Sequence, residues 1–402
     1  MLKAAPALGA TAGLAAAALH FAGALKSTPA LASLPFDVTL LAAVILLPAL
    51  LLLIVLARRW DLAPQLALPL AGCAGLWLWW VLRAAGSSWP DGAAERLRDI
   101  VLIGPVMLFA GMAIGADPAA RRIFVQATIA IGIFVGASVA WGIATDRVAL
   151  GGQVGADPAR VRVQYQIAGL AIACAAGLVS ARIPGSRGLG RVGWLALLAL
   201  LAGAVLLPGG RAALLALGVT AGLVPALVWV LEGRLGSALL WLAGLAAAGG
   251  LALAMLALDP ERVAELATLE RLLRDDGGVD SAREILWSAA WGLGDLAGLG
   301  PGGFPPAAGN GQGRALHPHN HAIEALVEGG AVGLLLWLLA FGGGALVLLR
   351  RLSHAGPRRA AEVLALTLPM AMTAMVSTDL GNRMAWFALG LALSAAVEAR
   401  RV

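Results

Sequence analysis

The sequence predicts an all-α integral membrane protein with about twelve transmembrane helices. Of its 402 residues, 60% are hydrophobic and only 13% are charged, and the mean hydropathy is +0.86. A soluble domain of this size needs far more polar residues to cover its core. Apolar runs of about 17 to 25 residues recur along the chain, which is the length that a helix needs to cross the hydrocarbon layer.

Short charged or Gly/Pro-containing breaks between the apolar runs define the predicted spans. The weakest break is the Pro-Gly-Gly turn before Arg211, which separates the seventh span from the eighth. The first run follows Lys3 like a signal peptide, but it has no clear cleavage site and many spans follow it, so we interpret it as an uncleaved span. The twelve spans are placed near residues 6–25, 38–57, 64–82, 99–115, 123–144, 164–180, 192–207, 211–231, 236–258, 330–349, 363–378 and 383–397.

This placement divides the chain into residues 1–258 with nine spans, a large loop at 259–329 and residues 330–402 with three spans. If the N-terminus lies in the cytoplasm, the arginine-rich turns face inward and acidic residues predominate outside, as the positive-inside rule requires. The inward residues then include Arg121, Arg182, Arg358 and Glu362. We therefore expect both termini in the cytoplasm and the large loop in the periplasm, where its length marks the functional region.

The charge and the cysteines exclude several other classes of protein. The net charge is +6 and the isoelectric point is near 10.5, but the basic residues are scattered in ones and twos at the ends of apolar runs. Such residues are topology signals, so nucleic acid is not an expected partner. Cys73 and Cys174 lie inside apolar segments, which excludes a disulfide framework and a zinc site.

Local patterns in the large loop predict two helices followed by an irregular segment. Residues 261–274 have apolar residues at helical spacing and charges on the other face, which is typical of an amphipathic helix on a membrane or bundle surface. A turn at 275–280 leads to a second predicted helix at 281–291. The glycines and prolines of residues 298–313 indicate an irregular, mobile loop.

Three of the five histidines lie in one pentapeptide, His317-Pro-His-Asn-His321. His319-Asn320 is followed by nine residues and then by Gly330-Ala-Val-Gly333. This arrangement resembles the signature of the O-antigen ligase family, in which a His followed by Asn, Ser or Gln precedes nine residues and Gly-x-x-Gly.

Two further stretches resemble the wider family of O-antigen ligases and polymerases. Pro208-Gly-Gly-Arg-Ala-Ala-Leu-Leu-Ala-Leu217 is similar to its arginine turn between two spans. Ser281-Ala-Arg-Glu-Ile-Leu-Trp287 and Gly298-Leu-Gly-Pro-Gly-Gly-Phe304 are similar to its loop ahead of the histidine. The resemblance covers roughly residues 192–350. It implies a GT-C-like glycosyltransferase architecture in the inner membrane of a Gram-negative bacterium, with the active site on the periplasmic side.

The same resemblance implies the substrates. The donor would be an O-antigen carried on undecaprenyl diphosphate in the membrane, and the acceptor a sugar hydroxyl of the lipid A-core oligosaccharide. It also implies inversion at the anomeric carbon and no cofactor. The loop has no paired Asp-x-Asp near its arginines, so we expect transfer without a metal.

Glycan transfer from a diphosphate explains why histidine and arginine are needed together. A histidine can accept the proton of the attacking hydroxyl near neutral pH, and guanidinium groups bind phosphate oxygens through paired N–H donors. We expect His319 to be the general base or a direct contact to the scissile phosphate. Arg211 and Arg283 would hold the departing diphosphate. Asn320 would orient the histidine or the donor.

Five more side chains are candidates for substrate binding, although each also has a structural explanation. Arginines and tryptophans at span ends usually anchor helices at the membrane interface, which is the role we expect for Trp80. Trp287 differs because it lies four residues after Arg283 and therefore shares its helix face. The five candidates are Arg160, Arg162, Trp287, His317 and Arg383.

Simpler interpretations stay open for the main motifs. His-x-His-x-His could bind a transition metal or be a solvated loop, with His317 and His321 as bystanders. Arg211 could end a helix at the interface, and Asp379 and Arg383 could pair or cap helices. The glycines after the histidine favour catalysis, since they would let the tenth helix approach a neighbour closely.

Three other functions compete with ligation. An O-antigen polymerase uses the same donor, and Arg211 and Arg283 are each followed at the eleventh position by a glycine, a spacing associated with some polymerases. A protein O-glycosyltransferase usually carries a C-terminal extension beyond the last span. A lipid or solute transporter usually has ionisable residues at mid-membrane and an internal repeat, whereas the predicted spans here are almost free of charge at their centres.

Overall fold

The computed structural model describes residues 4–56, 59–150, 160–258, 266, 268–269, 278–312 and 316–400. Most of these residues are helical, which confirms the predicted fold class. The α-helices of the described ranges are α1 (Ala4–His20), α2 (Ala22–Lys26), α3 (Val38–Leu56), α4 (Ala67–Ala84), α5 (Pro90–Leu97), α6 (Gly104–Ala116), α7 (Pro118–Ala144), α8 (Tyr165–Ser180), α9 (Gly188–Val205), α10 (Arg211–Leu231), α11 (Leu235–Ala257), α12 (Gly278–Leu293), α13 (Phe304–Ala307), α14 (His321–Trp337), α15 (Gly343–Arg351), α16 (Pro357–Val376) and α17 (Arg383–Leu393).

Within the described ranges, four short strands add little to this helical fold. Strand β1 (Arg59–Leu62) pairs antiparallel with β4 (Val397–Arg400), and β2 (Val148–Leu150) pairs parallel with β3 (Val161–Val163). Turns of π-helix adjoin two of the apolar helices. Turns of 3-10 helix lie at Pro64–Leu66 and Ser394–Ala396. The π turns are Arg98–Ile103, before α6, and Leu338–Gly342, between α14 and α15.

Nine helical segments within the described ranges are long and apolar enough to cross a membrane, and each overlaps one predicted span. The other three predicted spans correspond to shorter helices. The first is divided into α1 and α2 at Phe21, the sixth is Tyr165–Ser180 and the last is Arg383–Ala396. The chain is therefore an all-α integral membrane protein, and the count of twelve spans stays a prediction.

The helices form two compact units. The first contains residues 1–57, 117–274 and 352–369, in which α1 packs against α3 and α7, and α8 contacts α7, α9 and α10. A carboxylate oxygen of Glu362 lies 3.5 Å from Arg121 Nε, and the other lies 3.4 Å from Arg182 Nη2 and 3.3 Å from Arg358 Nε. Three turns that the charge pattern assigns to the cytoplasm thus meet at one end of this unit.

The second unit contains residues 58–116, 275–351 and 370–402. In it α6 packs along α17, and α4 contacts α14. Trp80 of α4 is fully buried, so its expected role as an interface anchor is wrong. The reason is that Gly329 leaves room for the ring: a Cβ at that position would lie 2.6 Å from Trp80 Cη2. The start of α14 is thereby fixed against the interior of this unit.

Candidate functional site

Asn320 begins helix α14 by capping it. Its Oδ1 accepts hydrogen bonds from the backbone N–H groups of Ala322 at 3.0 Å and Ile323 at 3.1 Å, a role for which asparagine is strongly preferred. Its Nδ2 donates to the carbonyl oxygen of Met375 at 2.8 Å, and the side chain is buried. Both ends of the amide are engaged within the protein, which suits the role of orienting the adjacent histidine.

His319 precedes this cap in a backbone conformation that is rare for any residue except glycine. Its φ is +56°, in the left-handed region. Its backbone N–H donates to His317 Nδ1 at 3.0 Å, and the two imidazole rings lie 4.0 Å apart between centroids. Such strained residues persist only where the surroundings hold them in place, and they cluster at functional sites.

The surroundings of His319 favour its neutral form. Burial lowers the pKa of His319 below its ordinary value of 6.5, and the positive charge of Arg283 lowers it further. A hydrogen bond with the backbone of Ser377 and the negative charge of Asp379 oppose these effects. Nδ1 of His319 is buried and has no hydrogen-bond partner among the described residues. Because a backbone carbonyl only accepts, the bond with Ser377 keeps the proton on Nε2 and leaves Nδ1 as the basic nitrogen.

The other two histidines of the pentapeptide serve the fold. Burial lowers the pKa of His317 to about 3, so it stays neutral and accepts the N–H of His319. His321 is fully buried, with Nε2 at 3.0 Å from Thr378 Oγ1. In the described ranges no group of three or more His, Cys, Asp or Glu side chains is placed to hold a metal ion.

Arg283 and Trp287 lie on α12, which confirms the helix predicted at 281–291. Trp287 Nε1 donates to the carbonyl oxygen of Pro318 at 2.7 Å, so this ring holds the loop that carries His319. The same face of α12 packs on α14 through a buried apolar cluster that also fixes the intervening loop: Ala290, Phe304, Ile323 and Val327. Packing thus brings the helix that carries Arg283 against the loop that carries His319. The amphipathic helix predicted at 261–274 lies almost wholly outside the described residues.

The glycine-rich loop before the histidines is less irregular and better packed than the sequence predicts. Residues 301–305 are buried, so the expectation of a mobile loop is wrong for this part of 298–313. Gly298, Gly300 and Gly302 have φ of +77°, +82° and +70°, which side chains rarely adopt. Glu328 Oε2 accepts the backbone N–H of Gly302 at 2.9 Å. The glycines therefore let the loop wrap closely around the start of α14.

Gly330 interrupts α14 rather than letting it approach another helix, which corrects the expected role of the first glycine in Gly-x-x-Gly. Its φ of +70° and ψ of −170° are not helical. The backbone groups freed by this break pair with the glycine-rich loop: Leu299 N–H donates to Val327 O at 2.9 Å, and Ala331 N–H donates to Asp295 O at 3.0 Å. The break separates a short capped helix, which follows the histidines in the chain, from the long apolar helix that continues to α15.

Replacement of Gly330 with alanine should destabilise the protein, because a Cβ there would lie 2.3 Å from Leu296 O in a backbone region that disfavours side chains. Such strain costs on the order of 1–3 kcal/mol. Gly342→Ala is the matched control, since no atom lies within 4 Å of its Cβ position. Thermal unfolding of both variants in detergent is the measurement, and equal midpoints would contradict the role assigned to Gly330.

A buried charged cluster lies beside the histidine motif, and the sequence analysis did not identify it. Arg96 Nη1 lies 2.6 Å from Asp379 Oδ2 and 3.4 Å from Glu324 Oε1. Glu324 and Glu328 are fully buried on one face of α14. The i, i+4 spacing of these two acids directly after His-Asn was the available signal, since buried acids require a partner. Nothing local pointed to Arg96, which is contributed by α5.

Arg211 belongs to the first unit, where it is the first residue of α10 after the Pro-Gly-Gly turn. Gly209 has φ of +92°, and its N–H donates to Thr268 Oγ1 at 3.1 Å. Thr268 N–H in turn donates to Leu206 O at 3.1 Å. The predicted helix break at this turn is confirmed, and the large loop reaches back to it.

The remaining candidates lie in two different units. In the first unit Arg160 forms an ion pair with Asp146, and Arg162 is exposed on β3. In the second unit Arg383 is the first residue of α17, whose cap is Asn382. Asp379 pairs with Arg96, as expected for an acid with a structural role.

Part of the chain is similar to a known protein family. The family model described as O-antigen ligase matches residues 196–338, a range that contains Arg211, Arg283 and the histidine motif. A search of curated proteins finds no match. Over residues 196–338, this match supports the resemblance to the O-antigen ligase family.

Proposed function

We propose that this protein is an O-antigen ligase of the inner membrane, with both termini in the cytoplasm. It would transfer a glycan from undecaprenyl diphosphate to a sugar hydroxyl of lipid A-core on the periplasmic face. The observation that carries the proposal is the buried Nδ1 of His319, which has no hydrogen-bond partner among the described residues, in a ring that the charge of Arg283 reaches within the part of the chain that matches the family. This is the arrangement of a base and a phosphate-binding cation that transfer from a diphosphate requires.

In the proposed reaction, the acceptor oxygen attacks the anomeric carbon of the donor sugar. A C–O bond to the acceptor forms as the bond between the anomeric carbon and the phosphate oxygen breaks, which inverts the configuration. The acceptor proton passes to Nδ1 of His319. The electron pair of the broken bond leaves with the lipid diphosphate, whose developing charge Arg283 and Arg211 stabilise without a metal.

The other candidates fall into two groups in this proposal. Three of them affect the substrate indirectly, by holding the loop that carries His319: Asn320, His317 and Trp287. Each makes a hydrogen bond that fixes either this loop or the start of α14. Of Arg160 and Arg162, Arg162 is the better placed to bind an anionic donor, because Arg160 forms an ion pair with Asp146. Arg383 is proposed as a further contact to the donor.

Reconstitution tests the proposal directly. Purified protein in vesicles receives an undecaprenyl diphosphate glycan together with either lipid A-core or a second donor molecule, in the presence of EDTA. We expect product on the lipid A-core. A lengthened lipid-linked glycan would select a polymerase instead, and loss of activity with EDTA would contradict transfer without a metal. No product with either acceptor would favour a transporter.

A further inference from the structure

The end of α16 and the residues that follow it, 375–380, run beside the histidine motif; we call them the docking segment. Its first residues contact both sides of the cap of α14. Met375 O accepts from Asn320 Nδ2 at 2.8 Å, and Thr378 Oγ1 lies 3.0 Å from His321 Nε2. These two contacts join two residues of the docking segment to successive residues of the histidine motif. They therefore fix the position of the docking segment along the motif.

The same segment contacts the base itself and the first turn of α14. Ser377 forms a backbone hydrogen bond with the His319 ring. Leu380 N–H donates to Glu324 Oε2 at 2.9 Å. The docking segment therefore touches residues 319–324 along its length, and it determines which ring nitrogen of His319 is left free.

Arg96, which lies on α5, connects the docking segment to α14. Its side chain is 3% exposed, and its Nη1 contacts Asp379 of the docking segment and Glu324 of α14. Glu324 divides its two oxygens between Arg96 and the backbone of Leu380. In a buried site, removal of one partner leaves the other charges uncompensated, so the three side chains act as a unit.

We propose that Arg96, Glu324 and Asp379 form a positioning triad that holds the docking segment against the histidine motif and so aims Nδ1 of His319. None of the three needs to touch the reacting atoms. The inference deepens the proposed function and rests on it for its catalytic consequence, whereas the docking itself can be measured without any transfer.

Reagent access to the docking segment tests the first part. Ser377 is 4% exposed, so a cysteine placed there by Ser377→Cys should react slowly with a thiol reagent, and its backbone bond to His319 is kept. The native Cys73 and Cys174 are replaced by alanine in this background. Adding Glu324→Gln or Arg96→Lys should accelerate labelling by about tenfold, because the segment opens locally.

Glu328→Gln is the matched control for this labelling. It removes a carboxylate from the same buried cluster, but Glu328 binds the backbone of Gly302 and not the docking segment. Labelling should stay at the background rate. If Glu324→Gln also labels at the background rate, or if Glu328→Gln labels equally fast, the triad does not hold the segment and the inference is overturned.

Transfer kinetics without the added cysteine test the second part. Glu324→Gln should lower kcat by about 100-fold with a smaller change in KM, the effect of misplacing a reacting group by about 1 Å. In this variant water reaches His319, so burial no longer lowers its pKa, while the charges of Arg283 and Asp379 remain beside it. The pKa of His319, and with it the midpoint of the acid limb of the pH profile, should therefore rise towards 6.5. Mere loss of folded protein lowers the rate at every pH and leaves the midpoint in place.

The two possible failures are distinguishable. A wild-type protein that transfers no glycan contradicts the proposed function, and the labelling experiment still decides whether the triad positions the segment. A wild-type protein that transfers glycan, with a Glu324→Gln variant of unchanged kcat and unchanged acid limb, contradicts the positioning role alone.

Discussion

Replacement of His319 with alanine is expected to lower kcat for glycan transfer by about 10²- to 10⁴-fold, the contribution of a general base. The KM for the donor should change little, because the arginines that bind the diphosphate remain. The protein should still fold, with a modest loss of stability, since alanine removes the ring's bond to Ser377 but no hydrogen bond of the Asn320 cap. The amount of folded protein in the membrane and the transfer rate are measured together.

The pH profile of the wild-type protein provides an independent check on this role. The base is active only when neutral, so the rate falls as the pH drops through the pKa of His319. Because burial and Arg283 lower that pKa, the acid limb should have its midpoint below 6.5. His354→Ala is the matched control, since this histidine is exposed in the turn between α15 and α16. Full activity of His319→Ala would end the assignment, as would an acid limb above 6.5.

Local sequence patterns predicted the parts of this site that depend on neighbouring residues. The Pro-Gly-Gly turn at Arg211 and the helix that carries Arg283 and Trp287 follow from breaks and periodicity within about ten residues. Both features need no knowledge of distant contacts, so they were correct. The orienting role of Asn320 stays a prediction.

The features that the sequence did not predict depend on distant partners. Arg96 meets Glu324 and Asp379 across more than two hundred residues, and no periodicity encodes such a contact. Gly330 was interpreted as a small residue that allows close helix packing. Instead, backbone groups on either side of it form hydrogen bonds with a loop that only the tertiary structure brings close. For the same reason, the burial of residues 301–305 was not predictable from a glycine-rich composition.

Arg283 offers the second large effect, because its charge can be changed without removing its helix. Arg283→Gln should lower kcat by about 10²- to 10³-fold, the cost of losing one group that stabilises developing charge. It should also raise the pKa of His319, since the positive charge that disfavours the imidazolium is gone. The acid limb of the pH profile would then move to higher pH as the rate at its plateau falls.

Arg283→Lys separates the two consequences. Lysine keeps the positive charge but lacks the paired donors of a guanidinium, so it should leave the acid limb nearly in place while still lowering kcat. Glu284→Gln is the control on the same helix, because Glu284 is exposed and its loss changes the net charge by one unit in the opposite direction. If Arg283→Gln lowers the rate but does not move the acid limb, Arg283 does not act on His319, and the two groups do not share a site in the working protein. If the limb moves but the rate is kept, Arg283 tunes the base and another cation must hold the diphosphate.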